Sequence, residues 1–143
     1  MNPNERELHY PLADAVPAPG TALEVAPGVR WLRMGLPFAL DHINLLLLRD
    51  LQDGIEGWTI VDCGIANDAT RASWELVFAE HLDGLPVLRV IVTHMHPDHI
   101  GLAHWLCERW STPEHECRLW MSGTDYNGAR LLANLRERRA AVP

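Results

Sequence analysis

The sequence lacks the features that mark membrane-spanning, secreted and disulfide-stapled proteins. Its apolar runs, such as Leu45–Leu48, are far too short to cross a bilayer. Residues 1–10 are polar and charged, without the apolar segment and small-residue cleavage site of a secretory signal. The three cysteines are odd in number and form no C-x-x-C pair, which fits a reducing compartment. We therefore expect a cytoplasmic protein with no membrane partner.

Positive charge is also scarce. The formal net charge is −7 and the isoelectric point is near 5.5, so the chain is a poor default partner for a phosphate backbone or an anionic lipid surface. The basic cluster at residues 136–139 contains Glu137, which is typical of a solvated helix end beside the negative end of the helix dipole. The composition therefore predicts no nucleic-acid partner.

The rest of the composition is that of one globular domain. Apolar residues make up 48% of the 143 residues, which is enough for a buried core. Prolines near the start, among them Pro11, Pro17 and Pro19, exclude a helix there and predict an extended, proline-rich arm over residues 1–20. We expect the domain itself to occupy residues 21–143.

Short apolar patterns with two different periods follow the arm. Alternation on both sides of Pro27-Gly28 predicts a hairpin, and two later apolar runs predict strands that end near residues 49 and 61. The spacing then changes to that of a helix at 68–81 (capped by Asn67 or Asp68), a strand at 87–93, a helix at 97–110, a strand at 117–121 and a helix at 125–139. This alternation predicts an α/β fold with crossover helices packed on the sheet.

Four metal-competent side chains lie directly after the strand predicted to end at residue 93: His94, His96, Asp98 and His99. Since His94 and His96 are two positions apart, an extended backbone turns both imidazoles to one side, where they can bind one ion. Asp98 and His99 sit where the chain enters a helix and can face a second ion. Imidazole and carboxylate ligands suit zinc, manganese or iron, and the absence of a neighbouring cysteine argues against a closed structural zinc finger.

The segment THMHPDHIG at residues 93–101 resembles the T-H-x-H-x-D-H-x-G motif of the metallo-β-lactamase superfamily. The strand that ends in Val61-Asp62-Cys63-Gly64 resembles that family's earlier D-x-G motif, and the resemblance extends from about residue 21 onward. It implies the N-terminal αβ half of an αββα sandwich, with a mixed sheet and helices on one face.

The resemblance also assigns roles to single residues. It implies that His94 and His96 bind a first metal ion and that Asp98 and His99 bind a second. Two zinc ions are expected in the intact protein, with iron or manganese as alternatives. Asp98 is the implied catalytic residue, placed to orient a water molecule or take its proton. Asp62 is expected to support the site from its rim.

Part of the family's ligand set has no counterpart in this sequence. Family members complete the two sites with a further His, a bridging Asp and a last His from a second αβ half. No residue after His99 matches them, since His115 and Asp125 come too early. We therefore expect residues 21–143 to be a partial domain, either a fragment of a longer hydrolase or a half-domain that pairs with another chain.

The expected function of the intact protein is metal-dependent hydrolysis of a small-molecule acyl substrate, by analogy with the hydroxyacylglutathione-hydrolase branch of the family. Two alternatives stay open: an iron-dependent oxidoreductase on the same fold, and a truncated, inactive chain that binds metal weakly. Two other histidines are not assigned to the site. His42 is expected to be structural, and His104 is expected to point away from the metal face.

Overall fold

The computed structural model describes Asn4 and residues 7–140, with side chains as far as Asn134. Its centre is a six-stranded sheet in which the strands lie side by side in chain order. The strands are β1 (Ala22–Ala26), β2 (Val29–Gly35), β3 (His42–Gln52), β4 (Ile55–Val61), β5 (Val87–Ile91) and β6 (Arg118–Trp120). Neighbours from β1 to β4 are antiparallel, whereas β4, β5 and β6 run parallel. The predicted α/β class with a mixed sheet is therefore confirmed.

Four helices accompany the sheet among the described residues: α1 (Asp68–Glu80), α2 (Pro97–Ile100), α3 (Ala103–Trp110) and α4 (Gly123–Ala140). Asn67 caps α1, as predicted, because its side chain accepts a hydrogen bond from the Thr70 N–H at 2.8 Å. Within this part of the chain, no helix has both the length and the apolar character needed to cross a membrane. The side chains of the basic cluster at 136–139 lie outside the described part.

One face of the sheet carries the core. Because side chains alternate along a strand, the register places Leu32 beside Leu45 and Leu47 beside Ile60 on the same face, and all four are buried. α1 and α3 contribute the buried side chains Trp74, Val77 and Leu106 to the same core. The indole N–H of Trp74 donates to the Cys63 carbonyl at 2.8 Å, which anchors α1 at the end of β4.

The opposite face carries an apolar row that crosses the whole sheet. Strand pairing aligns Leu23, Trp31, Leu46, Val61, Ile91 and Trp120. Trp120 is 50% exposed, and the other five are only partly buried. This outer face is therefore more open to solvent than the core face, although the side chains of this row are all apolar.

The structure corrects one predicted helix. The sequence predicts a continuous helix over 97–110, but the chain forms the separate helices α2 and α3, with a break at Gly101. The break has a physical cause: the carbonyl oxygen of His99 accepts a hydrogen bond from the N–H of Cys63 at 2.8 Å and does not continue the helix. The first turn of the motif is thereby tied to the end of β4.

The described part of the N-terminal arm, residues 7–20, contains turns and contacts α1. The N–H of Ala13 donates to the carbonyl of Tyr10 at 3.0 Å, and Gly20 is buried. A Cβ at Gly20 would lie 2.7 Å from the Leu76 side chain, so the arm runs close against that helix. Residues 1–3 and 5–6 lie outside the described part, and the domain boundary after residue 20 stays a prediction.

Candidate metal centre

The predicted ligands follow the carboxyl end of β5, and the predicted supporting residue follows the parallel strand β4. β4 and β5 pair in parallel, and beyond β4 the N–H of Asp62 still donates to the carbonyl of Ile91 at 2.8 Å. The φ angle of Asp62 is 62°, which turns the chain out of the sheet at this point. β5 ends at Ile91, so the predicted end at Thr93 is two residues too late. In α/β sheets, ligands bind at the carboxyl ends of parallel strands.

The first two histidines face each other across a short gap. The Nε2 atom of His94 lies 3.0 Å from the Nδ1 atom of His96, and the ring centroids are 4.6 Å apart. Two nitrogen ligands bound to one tetrahedral zinc at about 2.0–2.1 Å would lie about 3.3 Å apart. The separation of these two nitrogens is therefore close to what a single shared ion requires.

The second pair lies directly beside the first. The Nε2 atom of His99 is 3.5 Å from Oδ2 of Asp98. The ring of His99 approaches the ring of His94 to 3.8 Å between centroids. The structure thus brings together all four residues that the sequence predicted as metal ligands, as two adjacent pairs.

A hydrogen-bond network behind the imidazoles determines which ring nitrogens face the centre. The Thr93 hydroxyl donates to Oδ2 of Asp62 at 2.8 Å, and its oxygen lies 3.1 Å from Nδ1 of His94, which can donate to it. Nδ1 of His99 donates to the same Asp62 oxygen at 2.8 Å. When each Nδ1 carries the proton, the Nε2 atoms of both rings keep a lone pair for a ligand.

Asp62 occupies the position that the sequence predicted for a supporting residue. Its exposed fraction is 5%, and Oδ1 accepts the backbone N–H of Thr93 at 2.8 Å in addition to the contacts above. A buried carboxylate with several donors holds its orientation, because turning away from any of them would leave one of its hydrogen bonds unmade out of reach of water. Asp62 therefore fixes the start of the motif loop as well as the ring of His99.

The donor atoms match part of a two-ion site. His94 and His96 supply two nitrogens, while Asp98 and His99 supply one oxygen and one nitrogen. In the part of the chain that the structure describes, no group of three His, Cys, Asp or Glu side chains is arranged to hold an ion by itself. A catalytic zinc site usually has three protein ligands and a water molecule. The chemistry of the donors fits zinc or iron, and each pair is one or more ligands short.

Sequence reasoning missed Asp125 as a member of this site. Oδ1 of Asp125 accepts the backbone N–H of Met95, between the two histidines, at 3.1 Å. The Ser122 hydroxyl donates to Asp125, and together with the Met95 N–H and the nearby His94 and His96 it lowers the pKa of this carboxyl. The available signal was the Ser122-x-x-Asp125 spacing at a helix start, which predicts a cap but not a contact with the motif.

Sequence reasoning also missed the role of Thr93 in this site, although Thr93 is the first residue of the motif at residues 93–101. A threonine at a strand end has an ordinary interpretation as a β-branched strand residue. Its position directly before His94 was the only sequence signal for a role in orienting the imidazoles.

Three other histidines have partners or surroundings outside the four-residue cluster. The side chain of His104 is 95% exposed on α3. Nε2 of His115 lies 2.8 Å from the Leu88 carbonyl oxygen and donates to it, so this nitrogen is not available to a metal. Nδ1 of His42, at the start of β3, lies 2.6 Å from Oδ1 of Asp41.

A surface cleft of about 630 Å³ opens beside the motif. Its walls are mostly apolar and include Phe38, Met95, Pro97, Ile100 and Tyr126. Since Met95 and Pro97 flank His96, a molecule in this cleft would lie next to the first histidine pair. Small-molecule sites are usually apolar clefts with a few polar groups, and here the predicted ligands are sequence neighbours of the residues that line the cleft.

Known proteins share both the sequence and the fold. A sequence model of the metallo-beta-lactamase superfamily matches residues 40–138. The crystal structure of a beta-lactamase domain protein from Burkholderia ambifaria is 61% identical to this chain, with a TM-score of 0.85. The match covers 94% of this chain but only 40% of that one, so the chain spans less than half the length of this relative.

More distant solved structures share the fold. The metallo-beta-lactamase FIM-1 from Pseudomonas aeruginosa, in its mono-zinc form, is 16% identical with a TM-score of 0.51, over 81% of this chain and 46% of that one. A metallo beta lactamase from Erythrobacter litoralis, solved with beta mercaptoethanol in the active site, is 18% identical with a TM-score of 0.54, over 76% and 44%. The family match and the Burkholderia structure, together with the motif at 93–101, show that this chain belongs to the metallo-beta-lactamase superfamily.

Proposed function

We propose that this chain carries one half of a dinuclear metal site in a metal-dependent hydrolase. The proposed substrate is a small molecule with an acyl group, such as a thioester, an ester or a lactone. The observation that carries the proposal is that two ligand pairs, His94 with His96 and Asp98 with His99, lie side by side. The ring centroids of His94 and His99 are 3.8 Å apart. Zinc is the proposed metal, because nitrogen and carboxylate donors at this spacing suit it.

The chain's own residues have distinct proposed roles. When bound, two divalent ions would lower the pKa of a water molecule and polarise the acyl oxygen. Asp98, with a side chain that is 23% exposed, is accessible to water and would orient the attacking water molecule or take its proton. Asp62 and Thr93 would hold the proton on Nδ1 of His99 and His94, which leaves each Nε2 available as a ligand.

The cleft beside the motif supports an acyl substrate. Met95, Pro97 and Ile100 form an apolar wall that would bind a hydrocarbon portion by burying it from water. The reacting carbonyl would then lie at the end of the cleft nearest to His96. An extended nucleic acid has less support, since the chain carries a net charge of −7.

The missing ligands would come from a second αβ layer packed on the outer face of the sheet. The apolar row from Leu23 to Trp120 is only partly buried, and a second layer would bury it. The Burkholderia relative is matched over 40% of its length, which leaves room there for such a layer. We propose that a continuation of this chain or a partner chain supplies it.

Zinc binding by the purified chain tests the assignment of the ligands. We expect His96→Ala to weaken zinc binding at least about tenfold in a competition assay with a coloured chelator. His104→Ala is the matched control, because that imidazole is 95% exposed on α3 and is not one of the predicted ligands. Equal affinities of the two variants would show that the motif does not bind the ion.

Hydrolysis assays then test the reaction. We expect the chain, joined or mixed with the segment that completes the site, to cleave members of a panel of thioesters, esters, lactones and β-lactams with zinc present. The genomic sequence after codon 143 shows whether a continuation with the missing His and Asp ligands exists. Iron in protein purified from its native host, together with a reaction that needs oxygen, would replace the hydrolase proposal with an oxidoreductase.

A further inference from the structure

Two cysteines outside the metal centre form a contact pair. Cys107 lies on α3, and Cys117 lies directly before β6. Their side chains interact, since each thiol is the largest influence on the pKa of the other. The two residues are separated by a loop that returns the chain from the helix to the sheet, so the contact closes that loop.

Ser111 holds the main chains of the two cysteines together. Its hydroxyl donates to the carbonyl oxygen of Cys107 at 2.7 Å and accepts the N–H of Cys117 at 3.1 Å. Both main chains therefore reach the same oxygen atom. A disulfide requires its two main chains to lie close together, with Cα atoms about 4.4–6.8 Å apart, and the shared hydroxyl brings these two main chains toward each other.

The pair is open to small molecules on one side. Cys107 and Cys117 both line a surface cleft of about 620 Å³, together with His104, Glu116 and Arg118. Cys107 is partly exposed, whereas the exposed fraction of Cys117 is 2%. A reagent that enters the cleft would therefore meet the sulfur of Cys107 first.

We propose that Cys107 and Cys117 are a redox-active dithiol, which a low-molecular-weight disulfide such as oxidised glutathione converts to an intramolecular disulfide. The proposal is independent of the metal site and of the hydrolase function. Intracellular disulfides of this kind are usually transient and act as sensors rather than as structural staples.

The exchange proceeds in two steps. The thiolate of Cys107 attacks one sulfur of oxidised glutathione, forms a mixed disulfide and releases one glutathione thiolate. The Cys117 thiol then loses its proton, its sulfur attacks the sulfur of Cys107, and the second glutathione thiolate leaves. The protein loses two hydrogen atoms in total, and two molecules of glutathione are formed.

The pKa values of the two thiols are shifted in opposite directions, as expected if Cys107 attacks first. The hydrogen bond from Cys117 lowers the pKa of Cys107, and the same bond together with burial raises the pKa of Cys117. Burial raises the pKa of Cys63 well above its ordinary value, and its side chain is fully buried. Cys107 is therefore the attacking thiol, and Cys63 is the internal comparison that should not react.

Trypsin digestion places each of the three cysteines in a different peptide, so a peptide map identifies which cysteines are linked. The chain has no lysine, and trypsin would cleave at Arg109, between the two cysteines. After treatment of the native protein with oxidised glutathione, we expect a disulfide between peptides 90–109 and 110–118, with Cys63 free in peptide 50–71. The intact mass should fall by about 2 Da, and the melting temperature should rise by at least about 5 °C.

Three variants separate this pair from other pairings. Cys117→Ser should stop at a glutathione adduct on Cys107, Cys107→Ser should give neither adduct nor disulfide, and Cys63→Ala should oxidise like the wild type. Linkage of peptide 50–71 to either partner, a dimer between chains, or free thiols in the treated native protein would overturn the proposal. The wild-type map decides the pairing even if a variant does not fold.

Discussion

Nδ1 of His99 lies 2.8 Å from Oδ2 of Asp62, a residue 37 positions earlier in the chain. The two residues belong to different connections, one at the end of β4 and one in the first turn after β5. Since the same carboxylate also binds Thr93, Asp62 couples the position of the motif loop to the ring orientation and tautomer of a predicted ligand. The orientation of His99 is thus determined outside the motif itself.

The tautomer of His99 gives the first prediction. We expect its proton on Nδ1 in the wild type at neutral pH, because the Asp62 carboxylate accepts only from a protonated nitrogen. Asp62→Ala removes that acceptor and should shift the population toward the Nε2–H form. Long-range ¹H–¹⁵N correlation spectra of the imidazole rings measure both states. A wild-type His99 with its proton on Nε2 would contradict the assignment, and Asp68→Asn, an exposed change on α1, is the control.

A second prediction concerns the support that α4 gives to the motif loop. Asp125→Ala removes the acceptor for the Met95 N–H, so that amide should exchange with solvent at least about tenfold faster. Asp125→Asn keeps an oxygen in the same place and should restore most of the protection. Hydrogen exchange followed by NMR gives the rate at this single amide. Equal exchange in Asp125→Ala and the wild type would show that the loop holds its shape without α4.

The order of the elements was predictable because each one carries a local signal. Alternating apolar residues mark β2, a continuous apolar run marks β3, and the side chain of Asn67 marks the start of α1. The break between α2 and α3 was not predictable in this way. The break depends on a hydrogen bond from the N–H of Cys63 to the carbonyl oxygen of His99. Helical spacing contains no information about a donor so distant in the sequence that takes the place of a helical N–H.

The candidate site also contains one part that the sequence predicted and one part that it did not. His94, His96, Asp98 and His99 are neighbours in the sequence, so their spacing alone predicted that they would meet. Asp125 lies 30 positions from its partner Met95, and its contact exists only after α4 has packed beside the motif. Patterns in a single sequence predict ligands that are grouped along the chain. They miss supporting residues that folding brings to the site from distant positions in the sequence.

Gly101 supplies the third prediction. A Cβ at this position would lie 2.7 Å from the backbone nitrogen of Ala66 and 2.8 Å from the carbonyl oxygen of Gly64. Since backbone atoms cannot move aside as a flexible side chain can, Gly101→Ala should lower the free energy of unfolding by about 2–4 kcal/mol. Gly123→Ala is the matched control, because no atom lies within 4 Å of its Cβ position. Urea denaturation of both variants measures the difference, and equal stability would contradict the close packing.

The fourth prediction concerns the ion pair on the outer face of the sheet. Oδ2 of Asp50 accepts hydrogen bonds from the Thr59 hydroxyl and from two nitrogens of Arg89, at 2.8 and 2.6 Å. Burial alone would raise the pKa of Asp50, but the hydrogen bonds from Thr59 and Arg89 outweigh it and hold the pKa below the ordinary value of 3.8. The charged carboxylate is therefore favoured in the folded state.

A depressed folded-state pKa gives stability that is present above pH 3.8 and is lost as the pH falls through the folded-state value. Asp50→Asn should therefore cost about 1–3 kcal/mol at neutral pH, because Arg89 loses its charged partner. The difference between wild type and variant should shrink only below about pH 4. Urea denaturation between neutral and acid pH tests this, with Glu116→Gln, in an exposed pair with Arg118, as the control. A difference that stays constant into acid would mean that the Asp50 carboxylate is not the source of the stability, since protonation would then leave the interaction intact.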